Sequence, residues 1–215
     1  MKTFVKFCGL SRPEEVAEVP AGGAAGFVLE VPASPRNIQI PRAAELIENL
    51  PSEAEAWAVV VDPSAELIHR LFDEVGVDRV QVYGKVPDGL EFLEVHHVVP
   101  SVPVPAEPGA GPDPTIPPAE DYSRVHLDAA GQSTPGGSGV RPSWEVCARI
   151  VDANPGRKMV LAGGLTPENV ADALATVRPW GVDVSSGIER APGAKDIEKM
   201  RAFVRAVEEF EHGHG

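Results

Sequence analysis

The run Gly181-Val182-Asp183-Val184-Ser185-Ser186-Gly187 carries the architecture in miniature. An extended chain sends successive side chains to opposite faces, so Val182 and Val184 share one face while Asp183 and Ser185 share the other. Valine on one side and polar groups on the other suit a parallel strand with helices outside it and a filled lumen within. The same parity recurs elsewhere. Val125 and Leu127 oppose His126 and Asp128, Val80 and Val82 oppose Gln81 and Tyr83, and Val5 and Phe7 oppose Lys6 and Cys8.

Working outward from these runs gives eight expected strands: Phe4–Cys8, Gly26–Val31, Ala56–Val61, Asp78–Tyr83, Val95–Val99, Arg124–Asp128, Met159–Ala162 and Val182–Ser185. Helical patterns lie between most of them. Ser11-Arg12-Pro13-Glu14 reads as a helix start with Ser11 as N-cap and a glutamate closing a capping box. Asp62-Pro63-Ser64 leads into a helix over Ala65–Val75, stopped by Gly76. Thr166-Pro167-Glu168 opens a helix over Glu168–Thr176, with proline in its first position. A last helix from Lys195 to about Phe210 carries Ile197, Met200, Phe203, Val204 and Val207 as an apolar stripe.

Eight strands alternating with helices in 215 residues predict an α/β protein, a (β/α)8 TIM barrel formed by a single domain over residues 1–215. The competing architecture, an open doubly wound sheet, favours a Gly-rich turn after its first strand, and Cys8-Gly9-Leu10 is no G-x-G-x-x-G. Pro100–Pro118 holds eight prolines in nineteen residues. No regular helix survives that density. The segment therefore reads as a Pro-rich loop replacing the helix between strands five and six, rather than as a domain linker.

Composition narrows the function. A formal charge of −13 disfavours nucleic acid as a partner, because phosphate backbones recruit Lys and Arg. It leaves room for an anionic small molecule held by a few local donors. Two cysteines, Cys8 and Cys147, give neither a disulfide framework nor metal-ligand spacing. The opening MKTFVKFCGL has too short an apolar stretch for a signal peptide, and no run reaches membrane-spanning length, so a cytoplasmic, soluble protein with no membrane partner is expected.

Barrel enzymes place their chemistry where the strands end. Cys8 and Asp128 both sit at strand ends with inward parity, which makes them the leading catalytic candidates; Lys6, one layer lower, reads as lumen filling. Two Gly-rich turns, Ala162-Gly163-Gly164-Leu165 and Ser185-Ser186-Gly187, follow strands seven and eight. Glycine lets backbone N–H groups approach a ligand, and barrels commonly hold phosphate at these two turns. A third cluster, Gly136-Gly137-Ser138-Gly139, follows Asp128 as a flexible loop or a cover for the site.

In order along the chain, Val5-Lys6-Phe7-Cys8-Gly9, Ser34-Pro35-Arg36, Leu127-Asp128 with the Gly136–Gly139 cluster, Leu161 through Val170, Gly181 through Glu189, and Lys195-Asp196 form a set that resembles the phosphoribosylanthranilate isomerases over nearly the whole chain. The resemblance implies a cofactor-free Amadori rearrangement of phosphoribosylanthranilate in tryptophan biosynthesis, carried out by a monomer or homodimer. It implies that Asp128 protonates the furanose oxygen as general acid and that Cys8 removes the C2 proton as general base. It further implies that Arg36 binds the anthranilate carboxylate, that Gly163, Gly164, Ser185 and Ser186 hold the phosphate, and that Asp183 hydrogen-bonds the substrate. Such chemistry asks the thiol to shift down and the carboxyl up toward the working pH, with Lys6 placed to lower the thiol. The chain departs from the family pattern at Glu30, where an aromatic is common, at Tyr83, where histidine is usual, and at Ser101, where strand five lacks a basic residue. The related histidine-pathway isomerases, with aspartate in place of Cys8, two phosphate sites and a longer chain, fit less well. A degenerate barrel that binds a phosphorylated ligand without turnover would not need the Cys8–Asp128 pair.

Overall fold

The computed structural model describes residues 2–90, 93, 96–111, 114–130 and 141–213. Eight parallel strands close into a ring: β1 (Phe4–Cys8), β2 (Ala24–Leu29), β3 (Glu55–Val61), β4 (Arg79–Tyr83), β5 (Val98–Val104), β6 (Arg124–Ala129), β7 (Lys158–Leu161) and β8 (Gly181–Val184). Closure comes from β1, which pairs with β2 through Lys6–Ala24 and with β8 through Lys6–Asp183. Around the ring lie α1 (Pro13–Val16), α2 (Ile40–Ile47), α3 (Ala65–Arg70), α4 (Trp144–Ala153), α5 (Val170–Val177) and α6 (Ile197–Gly213). Among the described residues no helix lies between β4 and β5 or between β5 and β6. The expected loss of the second of these is met, and the first was not foreseen.

Strand parity sorts the side chains as the sequence implied. Val5, Phe7, Val80, Val82, Val125, Leu127, Val182 and Val184 join the large apolar cluster between sheet and helices. Two smaller clusters fill the lumen. Phe4, Ala24, Trp57, Val99 and Val160 plug its lower end, while Cys8, Val28, Val31 and Val59 line the upper. Beneath the lower plug, Arg124 lies 4.7 Å over the ring of Trp180 and donates two hydrogen bonds to Glu55, of 2.7 and 2.9 Å. Arg79 and the Trp57 indole donate to the same carboxylate. A cation packed on indole with its carboxylate paired is stable where a lone charge would not be.

Several boundaries differ from the sequence reading. β5 runs Val98–Val104, so its last five residues come from the segment read as pure loop; Pro100 and Pro103 give up ladder donors while keeping an extended backbone. The expected start of that strand, Val95, lies outside the described residues. Arg157 secures the rest of the Pro-rich connection by donating to the carbonyls of Pro117, Pro118 and Tyr122. α1 is capped at Arg12 rather than Ser11, and the box is closed by Glu15, whose Oε2 accepts from the backbone of both. α3 is continued by a π-turn over Leu71–Val75 and ends at Gly76 with φ +73°. α5 begins after Asn169, because that side chain bonds Thr166 N–H and the Gly164 carbonyl and holds 166–169 as a turn. α6 begins at Ile197, since Lys195 pairs with Glu189 in a short antiparallel ladder.

Candidate active site

Cys8 closes β1, Tyr83 closes β4 and Asp128 stands one residue before the end of β6, so all three face the lumen at its C-terminal rim. Tyr83 donates a 2.7 Å hydrogen bond to Asp128 Oδ2, and the Ala129 N–H donates one of 2.8 Å to Oδ1. The tyrosine ring leans edge-on against His126, 5.9 Å between centroids. Burial, then the charge of Asp128, raises the Tyr83 phenol well above its ordinary value, so it remains a donor.

One layer below, polar groups form a chain. Lys6 Nζ donates to Asp183 Oδ2 at 2.8 Å, and His126 Nε2 meets the same oxygen at 2.8 Å. His126 Nδ1 then lies 3.2 Å from the Ser101 hydroxyl, which also accepts from Gln81 Nε2. With Nε2 as donor, Nδ1 accepts from Ser101, and each link is satisfied. The ammonium of Lys6 fits because Gly26 has no side chain; a Cβ there would stand 2.9 Å from Nζ. Burial opposes the Asp183 charge, but Lys6 and His126 hold its carboxyl below the usual range. Asp183 Oδ1 is buried and takes no hydrogen bond from the described residues.

Burial pushes the Cys8 thiol up, against the pull of Lys6 and Lys195. A general base near neutral pH asks for the reverse. Lys6 acts on the thiol as expected, but Asp183 neutralises much of its charge and desolvation prevails.

The two Gly-rich turns pack against each other. Gly163 and Gly164 adopt φ +86° and +61°, conformations that suit glycine. A Cβ on Gly187 would fall 1.8 Å from the Leu165 carbonyl oxygen, so only glycine allows the second turn to close on the first. Ser186–Ile188 forms a single 3-10 turn. Ser185 donates its hydroxyl to the Cys8 carbonyl at 3.0 Å, joining the turn to the strand end that bears the thiol.

Arg36 is only 5% exposed. Its Nε and Nη2 donate to the two oxygens of Glu189 at 2.8 and 2.7 Å. Its aliphatic stem covers Gly9, where a Cβ would come within 2.5 Å of Arg36 Cδ. This arginine is therefore a packed member of the rim, held by its carboxylate partner and by its own stem. Of the family departures, Ser101 joins the lumen chain, Tyr83 holds Asp128, and Glu30 is exposed with φ +56°. The Gly136–Gly139 cluster lies outside the described residues.

Three side chains at the site went unassigned in the sequence. Glu189 and Lys195 stand in a hairpin too short to show periodicity, although both fall in stretches shared with the family. Tyr83 had the right parity, but parity alone gave no partner for its hydroxyl.

The model of the N-(5'-phosphoribosyl)anthranilate (PRA) isomerase family matches residues 5–206. The N-(5'-phosphoribosyl)anthranilate isomerase of Afipia carboxidovorans is 38% identical over 213 residues, covering 96% of this chain and 90% of that protein. The phosphoribosyl anthranilate isomerase of Thermus thermophilus superposes with a TM-score of 0.77 at 30% identity, over 96% of this chain and 99% of the other. A phosphoribosyl anthranilate isomerase in complex with reduced 1-(o-carboxyphenylamino)-1-deoxyribulose 5-phosphate superposes at 0.73 with 28% identity, over the same shares of the two chains.

Proposed function

This chain belongs to the N-(5'-phosphoribosyl)anthranilate isomerase family, and from that membership we propose how its residues divide the work. It catalyses the Amadori rearrangement of phosphoribosylanthranilate to 1-(2-carboxyphenylamino)-1-deoxyribulose 5-phosphate in tryptophan biosynthesis. The observation that supports the assignment of residues is the meeting, at one rim, of a thiol, a carboxyl and a pair of interlocked Gly-rich turns.

Asp128, in its acid form, gives a proton to the furanose ring oxygen. The C1–O bond breaks, its electrons leave with that oxygen, and the anilino nitrogen lone pair forms an iminium at C1. Cys8, as thiolate, takes the proton from C2; those electrons form the C1–C2 double bond and neutralise the nitrogen. The resulting enolamine tautomerises to the ketone. One proton leaves Asp128 and one arrives at Cys8, so exchange with water resets the pair. The buried Oδ1 of Asp183 accepts a sugar hydroxyl. Phosphate binds to the N–H groups of Gly163, Gly164, Ser185 and Ser186, in keeping with backbone amides as anion donors. The anthranilate carboxylate is received beside Arg36, whose placement against Glu189 fixes the guanidinium before substrate arrives. A single barrel domain, as monomer or homodimer, contains all of these groups. Among the described residues no helix is long and apolar enough to cross a membrane.

The direct test generates phosphoribosylanthranilate in situ and follows loss of its fluorescence. Turnover that vanishes in Asp128→Asn and Cys8→Ser supports the assignment; parental turnover in either variant removes that residue from it. A crystal grown in high phosphate should carry the ion beside Gly164 and Ser186.

A further inference from the structure

Two buried lysines flank the thiol, and only Lys6 belongs to the lumen. Lys195 stands on the short hairpin after β8, its side chain fully buried beneath the turn that carries Ser185 and Ser186. Its Nζ lies 2.8 Å from Glu189 Oε1, 3.1 Å from the Ser185 carbonyl and 3.3 Å from the Ser185 hydroxyl. Three acceptors match the three hydrogens of an ammonium; a neutral amine would set its lone pair against an oxygen. The main chain of Lys195 is fixed as well, its N–H on Glu15 Oε1 and its carbonyl under Arg12. From Ser185 the connection continues to the Cys8 carbonyl.

The charges around Cys8 can be counted. Lys6 faces it along β1, but a carboxylate lies against that ammonium: Asp183, from β8. Tyr83 faces it from β4, with Asp128 behind the phenol. Lys195 faces it from the hairpin, and its carboxylate, Glu189, is shared with Arg36, so two of these three groups are cations. Burial lowers the Lys195 ammonium below its ordinary value, and Glu189 opposes that fall without cancelling it. The positive charge of Lys195 reaches the thiol and lowers it.

We propose that Lys195 is a positioning residue for both halves of the reaction: it clamps the phosphate-binding turn to the strand end bearing Cys8 and supplies the buried positive charge that both the phosphate and the thiolate require. The proposal rests on Cys8 acting as base and on phosphate binding at this turn. It adds a residue that touches neither the reacting carbon nor the ring oxygen.

The test compares Lys195→Met and Lys195→Arg in the full chain, reading the pH dependence of kcat/KM and the Kd for inorganic phosphate. Removing the cation makes the thiolate harder to form. In Lys195→Met the acidic limb should therefore move to higher pH by about one unit, and phosphate binding should weaken roughly fivefold or more. Lys195→Arg keeps the charge, so its limb should stay where the parent has it. Both variants disturb the same buried hydrogen bonds, and structural damage alone would move both the same way or lower kcat with the limb in place. Either result overturns the proposal. If Lys195→Met does not fold, Lys195→Gln, which keeps a hydrogen-bond donor without the charge, decides: an upward shift supports the role, and a limb in place ends it. Parental activity in Cys8→Ser would instead refute the underlying reading of the base, a failure that these two variants do not mimic.

Discussion

The Tyr83 hydroxyl donates to Asp128 Oδ2 at 2.7 Å, while the backbone of Ala129 occupies Oδ1. A carboxyl gripped at both oxygens cannot rotate away from the lumen, and one of its two restraints is a side chain. Tyr83→Phe removes that hydrogen bond and little volume. Asp128 acts in its acid form, and a hydrogen bond to a neutral group contributes about 0.5–1.5 kcal/mol, so kcat/KM should fall by roughly three- to tenfold, mostly in kcat, with thermal stability nearly unchanged. Tyr83→His, which returns a donor to the same strand end, should recover part of the loss. A Tyr83→Phe enzyme within twofold of the parent would show that Ala129 alone is enough to orient Asp128.

Arg36 couples substrate binding to folding. Its guanidinium is paired along one edge with Glu189, so Arg36→Ala leaves a buried carboxylate short of a partner. Breaking such a pair costs about 3–5 kcal/mol, visible as a lower denaturant midpoint. Arg36→Lys returns a cation to Glu189, whose other partner is Lys195, and should restore part of the stability. It should restore KM for phosphoribosylanthranilate far less, because an ammonium does not reproduce the two-point contact of a guanidinium with the anthranilate carboxylate. Recovery of both together would mean that Arg36 serves the fold alone.

Glu55 ties the lower end of the barrel to acid stability. Burial by itself would raise its carboxyl, but hydrogen bonds from Arg79, Arg124 and Trp57 hold it down at about 2, against an ordinary 4.5. A depressed carboxyl stabilises the fold fully above its unfolded value and loses that contribution as pH falls through the folded one. The window is thus pH 4.5 down to about 2. At about 1.4 kcal/mol per unit, and allowing for a side chain 26% exposed, Glu55 contributes about 2–3 kcal/mol at neutral pH. Urea unfolding of Glu55→Gln should show that deficit at pH 7 and a difference from the parent that closes toward pH 2. A deficit that stays constant with pH would assign the effect to packing rather than charge.

What was legible beforehand follows from periodicity. Alternation in β1, β4, β6 and β8 placed Cys8, Tyr83, Asp128 and Asp183 in the lumen, because a closed sheet enforces a two-residue period on every strand. Irregular segments obey no such rule. Nothing local to Ser34-Pro35-Arg36 announces that Glu189, 153 residues from the arginine, will pair with it. Lys195 read as the start of a helix, since two residues of hairpin leave no pattern. Pro100 and Pro103 concealed the end of β5 by suppressing the usual strand signal. The thiol went the wrong way for a related reason: the charge of Lys6 is visible two residues from Cys8, but the desolvation that outweighs it arises only when the barrel closes.

The upward push on Cys8 sharpens the test of its role. A base whose thiol is raised by burial is mostly protonated at neutral pH, so wherever Asp128 keeps its proton log kcat/KM should climb with unit slope as pH rises until the thiol titrates. In Cys8→Ser that climb should disappear, because serine does not ionise in the range. Cys8→Ser and Asp128→Asn each conserve shape and polarity, so both should fold with near-parental stability while activity drops by about 10²–10⁴-fold. Cys147 is the internal control: it is fully buried on α4, and burial pushes its thiol up to about 12. Cys147→Ser should cost some stability, as a hydroxyl replaces sulfur in an apolar site, but leave the pH profile where it was. The assignment of the base fails if Cys8→Ser keeps the rising limb, and the identity of the thiol changes if Cys147→Ser loses it. Full retention of activity by Asp128→Asn would move the acid to another group at the rim, with Tyr83, already in contact with that carboxyl, the first to test.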